Sequence, residues 1–135
     1  SFLFDEEIIR LKEKLKSGLV SSIWIQFGTD YKLLKSRMEI LSNIISNTIN
    51  NNPKISNIML FGSILIPSKQ FLTRFKFRPW KGVYFSSEFL ESVDYAENLI
   101  EELLKTYRQH KIYPLIETSI TNQKHLEKLN MTFNL

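Results

Sequence analysis

The chain opens on a stretch in which Ile8, Leu11 and Leu15 recur at helical spacing after Asp5-Glu6-Glu7. Asp5 suits an N-cap, the acids suit the positive end of the helix dipole, and Gly18 suits the stop. Ser22-Ile23-Trp24-Ile25-Gln26-Phe27 then reads as a buried strand. After Gly28-Thr29, Asp30 caps a second helix in which Leu34, Met38, Leu41 and Ile45 share a face. The pattern fades in the Asn-rich stretch 47–53, which reads as a turn. Ile55 to Ile66 is apolar with two polar breaks. We read it as a buried strand to Leu60 or Phe61, followed by a strand-end loop through Gly62-Ser63 that Pro67 closes.

Ser68 caps a short helix through Phe71, Leu72 and Phe75, which Arg78-Pro79-Trp80-Lys81-Gly82 breaks. A long helix follows from Ser86 or Ser87 to about His110, burying Leu90, Val93, Ala96, Leu99, Leu103 and Leu104 along one side. Ile112 to Thr118 forms the third strand, with Pro114 placed near its beginning, and Asn122 to Asn130 a closing helix. The expected order is α-β-α-β-α-α-β-α. Strands alternating with helices in this way require right-handed crossovers and a parallel sheet, so the fold class is α/β, in one domain over residues 1–135. Strands this apolar expect cover on both faces. Three of them imply a piece of a larger barrel or pairing with another copy.

Composition narrows the function classes. Of 135 residues 43% are hydrophobic and 13% aromatic, enough for a packed core. There is no cysteine, so disulfides and thiolate zinc sites are excluded, and two histidines, His110 and His125, give no imidazole cluster. No run of 18 apolar residues and no charged-then-apolar leader is present, so the expectation is an intracellular, cytoplasmic protein without a membrane span, although Ser1 suggests a start elsewhere. The net charge of +4 carries little weight in a sequence rich in lysine, asparagine and isoleucine.

The candidate chemistry centres on Gln26, an uncharged polar residue in the last turn of the first strand, where α/β folds place their ligands. Its amide can donate and accept at once and so orient a ring edge without adding charge. The alternative is a bond to a neighbouring loop backbone. Lys69, Arg74, Lys76, Arg78 and Lys81 interleave with Phe71, Phe75, Phe77 and Trp80 and no acid. Cations on phosphates and rings under bases would use such a stretch, yet no nucleic-acid motif accompanies it. Rings entering the core with cations left wet is the preferred reading, with a dinucleotide or polyglutamyl folate as an intermediate one.

From Glu88 to Glu102 the bias reverses, through Glu91, Asp94, Glu97 and Glu101, with no base. Without a supporting histidine a metal site is disfavoured against a solvated helix face that meets the basic segment of a neighbouring copy. Glu117, near the end of the third strand, is a candidate general base, or more simply a paired structural carboxylate. His110 reads as a helix C-terminal partner and His125 as exposed. Gly62-Ser63 ahead of a helix offers backbone amides to a phosphate.

The order of motifs carries a resemblance. Leu11-Lys12-Glu13-Lys14-Leu15-Lys16-Ser17-Gly18, then Ile25-Gln26-Phe27 with Asp30-Tyr31, then Gly62 to Pro67 leading into Ser68, resembles the carboxyl-terminal half of the methylenetetrahydrofolate reductase family of flavin-dependent (β/α)8 TIM barrels. In that family a helix ending in "aGa" precedes a strand "ITQ-F-F-D", and the next strand ends "P-G-I-L/F-P". Here Ile25 replaces the threonine, and the second motif reads Phe61-Gly62-Ser63-Ile64-Leu65-Ile66-Pro67, without the first proline.

The resemblance covers residues 8–130 as the last three βα units of the barrel. It implies FAD as cofactor and alternate binding of a folate and NAD(P)H on the flavin face. Gln26 would contact those substrates and Phe77 would stack on them, or Phe75 if the register slips. The family's arginine after the eighth strand falls near Asn122, so that contact is missing. The general acid and most flavin-binding residues belong to the amino-terminal half, so this chain carries no catalytic residue of its own and is inactive alone. The competing reading is a non-catalytic α/β module that self-associates or binds a protein partner.

Overall fold

The computed structural model describes residues 2–118 and 120–134. Nine elements follow one another: α1 (Phe2–Lys16), β1 (Ser22–Ile25), α2 (Tyr31–Asn51), β2 (Met59–Leu65), α3 (Lys69–Phe77), α4 (Ser87–Glu91), α5 (Val93–Gln109), β3 (Ile112–Glu117) and α6 (Gln123–Phe133). The three strands form one parallel sheet in the order β1-β2-β3. The expected α/β class with parallel βα units is therefore present.

Local chemistry sets most boundaries. The side chains of Asp30, Ser68, Ser86, Ser92 and Asn122 each accept a hydrogen bond from the backbone N–H three residues on, satisfying donors that a helix start leaves unpaired. Gly18 ends the α1 turn at φ +71°, a left-handed conformation that glycine adopts without cost, and its N–H bonds the Leu15 carbonyl.

Four expectations are corrected. Helix α1 begins at Phe2, so Asp5 lies inside its first turn and does not cap it. Helix α2 continues through the asparagines to Asn51, because Ile44, Ile45 and Ile49 keep the apolar spacing and pack with Leu15, Ile55 and Ile58. That burial outweighs the few tenths of a kcal/mol per residue by which asparagine disfavours a helix. Strand β2 starts at Met59 and runs on through Gly62-Ser63 to Leu65, so no loop stands there. Ser92 caps a fresh helix, which splits the long one into α4 and α5 and adds an element to the order. Pro114, as expected, stands near the start of β3, as its third residue, paired with Gly62.

The main core lies between the sheet and the helices. Ile23, Ile25, Leu60, Ile64, Ile112 and Ile116 meet Met38 of α2, Leu72 and Phe75 of α3, Phe89 of α4, Ile100 and Leu103 of α5 and Phe133 of α6. Gly62 belongs to this covered face: a β-carbon there would come within 2.4 Å of the Tyr107 ring, so only glycine lets α5 approach. The Tyr107 hydroxyl donates to the Ser63 carbonyl, 3.1 Å away. Burial pushes its pKa well above the usual phenol range.

The other face has no such layer over most of its area. Strand register aligns Trp24, Phe61 and Tyr113 side by side, with ring centroids 5.4 and 5.7 Å apart. Trp24 remains 67% and Tyr113 57% exposed. The expectation of cover on both faces is thus met on one only. Successive strands joined by same-handed crossovers put every helix on one side of the sheet. The bare face is what that topology leaves.

Candidate functional site at the carboxyl end of β1

Strand β1 ends at Ile25, and Gln26 follows it in the same alternation as Ser22 and Trp24, exposed on the bare side. A groove of about 710 Å³ runs along this strand, walled by Phe4, Ile8 and Leu11 of α1, by Leu33, Leu34 and Met38 of α2, and by Gly82 and Tyr84. Trp24 and Gln26 both line it. Arg37 stacks over the Phe4 ring at 4.2 Å on the groove wall.

Backbone polarity makes this edge distinctive. The Ser21 carbonyl accepts from Met59 N–H at 2.9 Å, so Ser21, Ile23 and Ile25 turn their peptide groups to β2. Alternation turns those of Ser22, Trp24 and Gln26 outward. Gly28, next in that series, forms a parallel bridge with Tyr84. The segment 82–86 is fastened there: Thr29, itself buried, accepts from Ser86 N–H through Oγ1 at 2.9 Å, and Phe85 packs on Phe27 with centroids 5.3 Å apart. The loop following α3 thus touches the chain just beyond β1 through a single bridge and forms the lip of the groove.

The far edge differs. The Glu117 backbone carbonyl accepts from Ile66 N–H, so the peptide groups of Tyr113, Leu115 and Glu117 face β2, and those of Ile112, Pro114 and Ile116 face outward. Pro114 offers no N–H to any further strand and blunts that edge.

The arrangement around Gln26 suits binding. It offers a neutral amide, outward peptide groups and apolar walls, with Glu7, Lys14, Asp30 and Arg37 also in the lining, and among the described residues no hydrogen bond pairs a nucleophile with a base there. Phe77, the other expected ligand contact, is the last residue of α3, 83% exposed and outside the groove walls. The structure does not bring it together with Gln26 in that groove. Phe75 is a core residue, its ring 4.1 Å from that of Phe85. Asn122 spends its side chain on capping α6.

The phosphate loop expected at Gly62-Ser63 is overturned, since both residues are paired mid-strand with β3. Glu117 is exposed at the end of β3. His110 is the C-cap of α5, and exposed His125 has Nδ1 3.0 Å from Thr121 Oγ1. In the basic stretch Phe71 and Phe75 pack inward, whereas Phe77 and Trp80 do not follow them fully. Among the described residues no group of three His, Cys, Asp or Glu is placed to hold a metal ion, and no helix is long and apolar enough to cross a membrane.

Sequence reasoning missed the row Trp24-Phe61-Tyr113 and the Gly28–Tyr84 bridge. The row had a signal. Ser22-Trp24-Gln26 alternate with Ile23-Ile25-Phe27, a half-buried pattern that a reading of continuous hydrophobicity hides.

Fold and site together give an α/β protein with a parallel sheet covered on one face and a groove along β1 whose apolar walls are joined by Glu7, Lys14, Asp30 and Arg37. No family model, no curated protein and no solved structure matches the chain.

Proposed function

We propose that the chain is the substrate-binding part of a methylenetetrahydrofolate reductase-like flavoprotein, three βα units of a (β/α)8 barrel. The observation that carries this is the placement of all the helices on one side of the sheet, with Gln26 on the opposite, bare side at the carboxyl ends of the strands. In a closed barrel that bare side would be the interior. Further strands would join at the outward peptide groups of β1.

The chain's own residues fit the ring-binding half of such a site. Gln26 would hold the edge of a pterin or nicotinamide through its amide, and the Trp24-Phe61 pair would form an apolar floor. With Gly62-Ser63 inside β2, no phosphate cradle is built there, so FAD would be held by residues outside this chain. The flavin, when bound, supplies the hydride chemistry, and the role of these residues is to orient the substrate above it.

The test is optical. The complete protein should show a flavin absorption band that reduced nicotinamide bleaches and a folate restores. A colourless complete protein that binds no folate contradicts the proposal. A second reading, a non-catalytic module that associates through its sheet, is favoured by one observation, the unblunted β1 edge. It predicts a colourless protein that forms oligomers.

A further inference from the structure

The helical layer carries two opposite charge patches side by side. Lys69, Arg74 and Lys76 of α3, with Arg78 and Lys81 beyond it, are all exposed. Glu88 and Glu91 of α4 and Asp94, Glu101 and Glu102 of α5 are exposed as well. Helix α3 packs against α4 and α4 against α5, so the patches are neighbours on one layer. Neither satisfies the other. Among the described residues the ion pairs are all within α1, between Arg10 and Glu6 or Glu7 and between Lys16 and Glu13.

Each patch also exposes aromatic surface of the kind that anchors interfaces. Phe77 at 83% and Trp80 at 50% exposure lie among the cations, and Tyr95 at 46% exposure lies beside Asp94. We propose that this layer is a self-complementary interface. Two copies related by a two-fold axis would each set the basic α3 segment against the acidic α4–α5 face of the other.

The occupant follows from the charges. A two-fold axis exchanging adjacent patches of opposite sign makes the same favourable contact twice. A nucleic acid or other polyanion drawn to the cations would meet five exposed carboxylates next to them. The sheet's bare face, with Trp24 and Tyr113, lies on the far side of the core from these patches and stays open in such a dimer. The inference is thus independent of the flavin reading, and either can fail without the other.

Light scattering and sedimentation of the chain test it. A dimer is expected at low salt, with its dissociation constant rising about tenfold or more between 50 and 500 mM salt as the Debye length shrinks. Arg74→Glu with Arg78→Glu should give a folded monomer, and so should Asp94→Lys with Glu101→Lys, their helicity unchanged by circular dichroism. An equimolar mixture of the two variants should restore dimers, because the reversed patches complement one another. A wild-type chain that stays monomeric at low salt overturns the proposal. So does a dimer indifferent to both reversals, a mixture that stays monomeric, or heparin binding to a monomer with no dimer in its absence.

Discussion

The two faces of the sheet are built from the same three strands and do opposite things. On the covered face, Ile23, Leu60, Ile64 and Ile112 are held by helices, and a glycine at position 62 lets the Tyr107 ring touch the strand. On the bare face, a large aromatic from each strand stands in register, Trp24 and Tyr113 exposed and Phe61 half-buried between them. Leaving Trp24 and Tyr113 in water loses the burial of two rings, each worth roughly 1.5–3 kcal/mol if covered. The comparison teaches that the packing that stabilises the sheet resides on one side, and that the other side is left open.

The sharpest way to break this contrast is to truncate one residue on each face. Ile64→Ala removes a fully buried side chain and should cost about 2–5 kcal/mol in chemical denaturation. Gly62→Ala forces a β-carbon against Tyr107 and should cost about 1–3 kcal/mol, with a negative coupling when Tyr107 is itself truncated to alanine. On the bare face, Trp24→Ala should cost only the stacking on Phe61, about 0.5–1.5 kcal/mol. A loss from Trp24→Ala as large as that from Ile64→Ala would erase the distinction between the faces.

Tyr107 adds a pH signature. Its phenol is neutral and buried, with its pKa raised in the folded state, so its contribution is fully present below the unfolded value of about 10 and declines as pH rises above it. Stability followed by denaturant from pH 8 to 11 should fall at the alkaline end, and Tyr107→Phe should flatten that fall. The smallest effect on stability is expected at Gln26. Gln26→Ala should lie within about 0.5 kcal/mol of the wild type, while under the proposed flavoprotein reading it should weaken folate binding about three- to tenfold, the loss of one hydrogen bond.

Much of this was legible in the residues. Asp30, Ser68 and Asn122 announce helix starts, and the structure shows each accepting the expected N–H. The apolar runs around Ile23, Leu60 and Ile112 announce strands, and their alternation with helices announces the parallel sheet. Ends set by packing were less visible. Asn47, Asn50 and Asn51 look like a turn until Ile49 is seen against the second core cluster, and Gly62 looks like a loop until Tyr107 is seen above it. Each residue departs from its local preference for a contact far away in sequence. Gln26 was legible by position. The Tyr84 lip of its groove was not, because a single bridge leaves no periodic trace.

The central claim is that the Trp24 face is free and available, and one measurement reaches it. With Trp80→Phe, Trp24 is the sole tryptophan of this chain, so its emission and its quenching by acrylamide report that face alone. The account predicts red-shifted emission and quenching close to that of a fully exposed indole, at low salt as at high salt, since association through the helical layer leaves the sheet open. Blue-shifted emission resistant to acrylamide would show the face covered within the chain or by a second copy, and would contradict it.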